Sequence, residues 1–379
     1  MPGKIKNIFI IAGESSGDMH AASLIKEICR ADTNYRFSGI GGPEMKMEKV
    51  KLLYEIKDVN FIGFSSVLMN IKKIKSILSK CEKTIINNNP EAVILVDYPG
   101  FNLKLIKNIR KFYKGKIIYY ISPQLWAWHK SRVNIIRKYV DLMIVVFPFE
   151  TDFYDKENVK AEFVGHPLVK RIDGFLANNL KNKSERKVVS ILPGSRKDEI
   201  KRMLPVLCET GKMFSELLNC EVNIICSANF PESYYKTYLK NYDFRLIYDG
   251  NNSGLNYQTI YNSDFVITKS GTSTVECALI GTPFCVVYKT GKLNYTIGKR
   301  LININNIAMV NILSGKEIVK EFLQDEVLPE NIFKEGEKIL TDSSYREAMQ
   351  NNFGELRKIL TDKDASFNAA KLIMSLLKQ

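Results

Sequence analysis

The stretch Ser263-Asp264-Phe265-Val266-Ile267-Thr268-Lys269-Ser270-Gly271-Thr272-Ser273-Thr274-Val275-Glu276-Cys277-Ala278-Leu279-Ile280-Gly281-Thr282-Pro283 decides the fold. Residues 265–268 are too few for a helix and too apolar for a half-exposed strand, so they read as a strand buried on both faces. Ser270, Gly271 and Thr272 then make a small-residue turn that leaves backbone N–H groups at a helix start, where an anion is favoured. The helix over 274–280 stops at Gly281, and Pro283 opens the next strand. Glu276, one to two turns into that helix, can accept both hydroxyls of a ribose; taken alone it also reads as an exposed helical carboxylate.

The same alternation runs outward in both directions. Towards the N-terminus, strands are expected at 244–248, 222–226 and 188–192, with helices at 255–261, 231–239 and 200–218; another strand follows at 284–288. Residues 176–186 are polar and rich in Asn and Lys, a linker pattern. Before them lies a second series, with strands at 8–13, 37–41, 92–97, 116–122, 142–147 and 161–165 and helices at 19–29, 67–86, 103–112, 133–140 and 149–154. After about residue 315 the pattern is helical to the end. The expected fold is α/β: two tandem doubly wound (Rossmann-like) parallel-sheet domains with an interdomain cleft and C-terminal helices. The boundaries fall at 1–168 for the first domain, 169–186 for a linker, 187–360 for the second domain and 361–379 for a C-terminal helix.

Composition narrows the class. The 379 residues are 45% hydrophobic and 25% charged, as in an ordinary folded chain, and carry a formal net charge of +14. That surplus expects an anionic partner: nucleic acid, phosphorylated ligand or acidic membrane surface. Seven cysteines without a C-x-x-C pair argue against a disulfide framework, and three histidines without zinc spacing argue against a structural metal. No run approaches the ~18 apolar residues of a membrane span, and residues 1–6 carry no signal-peptide pattern. A cytoplasmic protein with at most peripheral membrane contact is expected.

Four further strand-end loops carry chemistry. Gly13-Glu14-Ser15-Ser16-Gly17-Asp18 is an anion-sized turn with Glu14 as its carboxylate, or a tight turn with Asp18 as helix N-cap. Its spacing is not that of a dinucleotide fingerprint. Asp97 ends an apolar strand and can take a proton from an attacking hydroxyl, or can cap the turn that follows. Trp126 and Trp128 share the loop after the strand at 116–122, suited to a sugar face or acyl chain, or to packing. Gly194, Ser195 and Arg196 make a pyrophosphate-sized turn, and a P-loop is absent.

Together these residues resemble a known family. Ser270 to Pro283 is similar to the nucleotide-sugar motif of GT-B glycosyltransferases, and Phe163-Val164-Gly165-His166-Pro167 to the segment where those enzymes pass between domains. More specifically, residues 12–18, 122–128, 147–150, 192–196, 311–315 and 322–325 resemble, in order, the lipid-A-disaccharide synthase family. The resemblance implies a GT-B fold and an inverting, metal-independent transfer, with no cofactor. The donor would be UDP-2,3-diacylglucosamine and the acceptor 2,3-diacylglucosamine 1-phosphate; the products would be the β-1,6 disaccharide and UDP. It implies Asp97 as the essential carboxylate and Glu14 as the first-loop Glu. It places Arg196 with Gly194 and Ser195, Ser270, Gly271, Thr272 and the ribose-binding Glu276 at the donor, and Asn311 as a required Asn there. Ser16, Trp126 and Trp128 are grouped with the acceptor. Gly100 stands where many members carry a second Asp, leaving Asp97 as the base of its loop.

Lipid substrates require a membrane surface. Phe61, Ile62, Phe64, Val67, Leu68 and Met69, followed by Lys72, Lys73 and Lys75, suit an anionic interface; the same segment also reads as a core-facing amphipathic helix with a solvated Lys face. The expected location is the cytoplasmic face of the inner membrane, without nucleic acid as a partner and with a homodimer left open. The rival readings are another GT-B glycosyltransferase, a UDP-sugar epimerase, or a non-catalytic basic binder of nucleic acid or phospholipid.

Overall fold

Strand β1 (Lys6–Ala12) sends alternate side chains to opposite sides, and both sides are covered. Phe9 and Ile11 join one apolar core with Val93, Leu95, Ile117 and Tyr119. Ile8 and Ile10 join another with Ile94, Val96, Ile118 and Tyr120. Burial on two faces is why these strands read as unbroken apolar runs.

This computed structural model describes residues 5–59, 70–126, 130–182, 184–248, 253–291, 306–361 and 363–378. The chain forms two compact units, residues 1–167 with 362–379, and residues 168–361. In unit 1 the strands are β1, β2 (Tyr35–Gly41), β3 (Lys51–Glu55), β4 (Ala92–Val96), β5 (Lys116–Tyr120), β6 (Leu142–Val145) and β7 (Ala161–Phe163). They form one parallel sheet in the order β3-β2-β1-β4-β5-β6-β7. In unit 2, β8 (Val188–Leu192), β9 (Glu221–Cys226), β10 (Arg245–Tyr248), β11 (Phe265–Lys269), β12 (Phe284–Tyr288) and β13 (Glu321–Leu323) form a parallel sheet. Its order is β10-β9-β8-β11-β12-β13.

Three expectations need correction. Residues 169–186 are not a linker throughout: Pro167–Asn178 is a helix that buries Leu168, Val169 and Ile172, and its Asp173 pairs with Arg357 within unit 2. The region after 315 is not all helical, because β13 adds an edge strand beside β12. Likewise β3, exposed at Lys51 and half-buried from Leu52 to Glu55, is a strand where none was expected. The last helix, Ala365–Leu377, returns to unit 1, where Ala365, Ala369, Ala370 and Ile373 complete the core on the side of helix Ser15–Ala31.

Candidate active site

In an open parallel sheet, the crevice lies beyond the carboxyl ends of the strands where the winding reverses. In unit 1 that point is between β1 and β4, and in unit 2 between β8 and β11. The loops carrying Glu14 and Asp97 flank the first point, and those carrying Arg196 and Ser270 flank the second.

At the first point Ala12 is registered with Val96, so Gly13 and Asp97 leave the sheet side by side. Glu14 is the N-cap of helix Ser15–Ala31, and no side chain caps that helix. Asp18 is therefore not the N-cap. It is buried one turn further in and accepts the N–H groups of Gly42 (2.7 Å), Glu44 (3.0 Å) and Met45 (3.1 Å), tying down the loop after β2. Burial raises its pKa against the pull of those three bonds.

Asp97 and Tyr98 both have left-handed backbones, φ 44° and 49°. Such a conformation costs on the order of 1–3 kcal/mol per residue and needs surrounding structure to hold it. Four contacts do so. The Asp97 carbonyl accepts from Asn102 Nδ2 and from Tyr119 Oη, each at 2.7 Å. Tyr98 Oη donates to the Val59 carbonyl at 2.5 Å, and the Tyr98 ring lies against Gly13, where any Cβ would come within 2.4 Å of it. Burial first, and then the Glu14 charge, push the Tyr98 hydroxyl up to about 12. The two carboxylate loops are thus one packed assembly, with Glu14, Ser16 and Asp97 half-buried.

Beside it, after β5, lies a buried polar group that sequence reasoning did not assign. Ser122 Oγ and Tyr154 Oη share a hydrogen bond of 2.8 Å, and Phe147 N–H donates to Glu150 at 3.2 Å. Burial pushes the Glu150 carboxyl up to about 8. His166, 6.4 Å from His20 between ring centres, is held neutral: burial, and then His20, take it down to about 3. Trp126 packs edge-on against Phe149 at 5.0 Å. Trp128, and Phe61, Ile62, Phe64, Val67, Leu68 and Met69, lie outside the described residues.

At the second point Thr268 is registered with Leu192. Gly194 has φ +110°, and a Cβ there would fall 2.6 Å from Glu199 Oε2. Glu199, nearly buried, accepts from Ser195 N–H (3.3 Å) and Arg196 (3.3 Å) and pairs with Lys269 (3.1 Å). One carboxylate thereby joins the end of β11 to the loop after β8. Helices Lys197–Leu218 and Thr272–Ile280 start at Arg196 and Gly271, and neither of these N-cap residues makes a side-chain capping hydrogen bond. Gly271 and Thr272 are exposed there.

Glu276 is partly buried and accepts from Tyr257 Oη at 3.1 Å. Burial raises its pKa, against that hydrogen bond and the Arg171 charge. Arg171 stands 5.9 Å from the centre of the Tyr257 ring. Tyr257, Arg171, Glu199 and Lys269 were not assigned from sequence; the i,i+3 spacing of Arg196 and Glu199 was the visible sign of that pair.

Two expected donor contacts are differently employed. Ser270 Oγ donates to the Ile307 carbonyl at 2.9 Å. Asn311 has no exposed surface. Its Nδ2 donates to Val319 O and Glu321, and its Oδ1 accepts from Ile318 and Val319 N–H. An amide so fully engaged holds backbone: the Asn311 side chain is spent on Ile318, Val319 and Glu321, where a donor contact was expected.

No described helix is long and apolar enough to cross a membrane. Among solved structures, the chain superimposes on S. aureus MnaA with UDP (TM-score 0.69, 12% identity, 99% of this chain and 97% of that one). It also superimposes on the calicheamicin glycosyltransferase CalG4 (TM-score 0.62, 13% identity, 100% and 99%). At such identities these likenesses show the fold alone. The sequence comparisons reach further. The chain is 36% identical over 384 residues to the lipid-A-disaccharide synthase of Nitrosococcus oceani, covering 98% of this chain and 96% of that protein. It is 33% identical over 383 residues to that of Trichlorobacter lovleyi, covering 100% and 99%. The family model described as lipid-A-disaccharide synthetase matches residues 8–372. With that match running through both switch points, the chain belongs to the lipid-A-disaccharide synthase family of glycosyltransferases.

Proposed function

We propose that the chain transfers the sugar of UDP-2,3-diacylglucosamine to 2,3-diacylglucosamine 1-phosphate, with inversion, giving the β-1,6 disaccharide and UDP. The observation that carries this reading is the distribution of charge at the two switch points. The carboxylates of Glu14 and Asp97 flank the one in unit 1; Arg196 and Lys269, both held by Glu199, and the helix starts at Arg196 and Gly271 flank the one in unit 2. A displacement of this kind needs both sets. The acceptor oxygen forms a bond to the anomeric carbon as the bond from that carbon to the β-phosphate oxygen breaks, and its electron pair leaves with UDP. Asp97 takes the acceptor's proton, and Glu14 stabilises the positive charge that builds on the sugar. Arg196 and the amides at Gly194, Ser195, Gly271 and Thr272 take the charge gathering on UDP. Glu276 holds the ribose.

The lipid substrates place the enzyme on the cytoplasmic face of the inner membrane. Exposed Ile71 and exposed Lys72, Lys73 and Lys75 open helix Ile71–Asn88, whose first turn has no acidic residue. Cations at that end oppose the helix dipole, and an anionic surface would offset the cost. Replacing Phe64, Leu68 and Met69 by Ser should leave a fold that high salt strips from anionic vesicles completely.

The deciding experiment incubates the chain with both diacylated glucosamines and follows UDP and disaccharide. UDP release that requires both substrates is the expected result. Conversion of UDP-N-acetylglucosamine in the absence of any acceptor would favour an epimerase and refute the reading.

A further inference from the structure

Glu321 opens the edge strand β13 and is a buried carboxylate with 8% exposure. Among the described residues it takes part in no ion pair. Three N–H donors converge on it instead: Ile307 N–H to Oε2 at 2.8 Å, Ala308 N–H to Oε1 at 3.0 Å and Asn311 Nδ2 to Oε1 at 2.8 Å. A site of donors alone is matched by a carboxylate and by no neutral isostere, since an amide must turn its own N–H₂ towards one of them. The residue gripped by Glu321 through its N–H is gripped at its other end too, because the Ile307 carbonyl accepts from Ser270 Oγ. A continuous chain therefore runs from Glu321 through residue 307 to the Ser270-Gly271-Thr272 turn, at the start of helix Thr272–Ile280. Asn311 braces the chain from behind by holding Ile318 and Val319, just ahead of Glu321.

We infer that Glu321 is a positioning residue for the nucleotide donor. It acts through residue 307 and Ser270 to hold the turn that meets the nucleoside diphosphate. The inference rests on the donor reading of that turn. It also gives Asn311 a role that burial permits: orienting Glu321 rather than touching ligand.

The test is Glu321→Gln in the full chain, with UDP affinity measured by calorimetry and steady-state kinetics measured with each diacylated substrate varied in turn. Donor KM and the UDP dissociation constant should rise about tenfold, the weight of one charge-assisted hydrogen bond. The acceptor KM and kcat should stay near the parent's, and Glu321→Asp should recover part of the loss. A lowered melting temperature with both KM values and UDP affinity unchanged would make Glu321 merely structural and overturn the inference. If Glu321→Gln does not fold, Ser270→Ala cuts the same chain from the other end. A donor-specific loss there supports the inference, and unchanged UDP affinity overturns it. The parent separates the two claims. A parent that binds UDP but does not join the lipids refutes the proposed reaction and leaves this inference to the binding data. A parent that does not bind UDP refutes both.

Discussion

Tyr257→Phe removes a single hydroxyl beside Glu276 in unit 2. The Tyr257 ring is 4% exposed, lies edge-on to Phe175 at 5.7 Å and has Arg171 beside it, so removing only the hydroxyl leaves the packing in place. What is lost is the 3.1 Å bond to Glu276 Oε1, together with the Arg171 hydrogen bond to the same hydroxyl. A hydrogen bond to a charged group contributes about 1.5–3 kcal/mol. Because Glu276 is only partly buried, water can replace part of that, and the lower end applies: about tenfold in UDP affinity. The pH dependence gives a second readout with a definite sign. Burial raises the Glu276 pKa, and Tyr257 is the largest influence lowering it. Without the hydroxyl that pKa rises further, so the ionised form that accepts ribose hydroxyls is lost at a higher pH. Calorimetric titration with UDP should show the gap between parent and variant widening as pH is lowered through the range in which both stay folded. The loss should be smaller for 2′-deoxy-UDP, which offers the carboxylate one hydroxyl fewer. Parental affinity for UDP across that pH range in a folded Tyr257→Phe protein would refute the role given to Glu276.

Asp97→Asn should lower kcat by about 10²–10⁴ with the melting temperature unchanged, because the bonds that hold the strained turn come from the Asp97 main chain and Asn tolerates a left-handed backbone; near-normal turnover by the folded variant would remove Asp97 as the base. Glu150→Gln should alter the pH dependence of stability above about pH 6.5, where an unfolded histidine is more than half neutral. There the folded chain holds a proton on Glu150 up to about pH 8 that the unfolded chain has released, so parental stability falls as pH rises, by up to about 1.4 kcal/mol per unit. Denaturant unfolding between pH 6.5 and 8 should show that slope in the parent and not in the variant, and an unchanged slope would contradict a protonated buried Glu150. Between about pH 3 and 6.5 His166 acts in the opposite sense, neutral when folded and protonated when unfolded, so His166→Phe should remove a rise in stability over that range.

How far the fold could be read from sequence followed from burial. Strands such as Ala92–Val96 and Phe265–Lys269 are covered on both faces and announce themselves as apolar runs. The elements that escaped are those with little to bury. Lys51–Glu55 has no fully buried residue, Glu321–Leu323 is three residues long and begins with a charge, and helix Pro167–Asn178 has its buried residues in its first two turns. The site divides along a different line. Glu14, Asp97, Arg196 and Ser270 were legible because each follows a strand, and parallel topology sends every strand end to the same edge of its sheet.

What could not be read was the direction in which a polar side chain spends its hydrogen bonds. Asn311 and Glu276 are both polar residues near loops of the same unit, and nothing in their local sequence separates a side chain tied to backbone from one tied to other side chains. The difference arises from partners eight or more residues away: Val319 and Glu321 for Asn311, Tyr257 and Arg171 for Glu276. The same holds at Asp97, whose placement depends on a left-handed backbone that any residue with a Cβ adopts at a cost. That conformation persists because Tyr119, Asn102 and Tyr98 bind across the turn, and Gly13 on the neighbouring strand leaves room for a ring. The missing Cβ of Gly13 lets Tyr98 lock the second loop against the first, so substituting it by Ala should disturb Asp97 as well as Glu14. A Gly13→Ala protein with parental kcat would show that the two carboxylate loops are set independently.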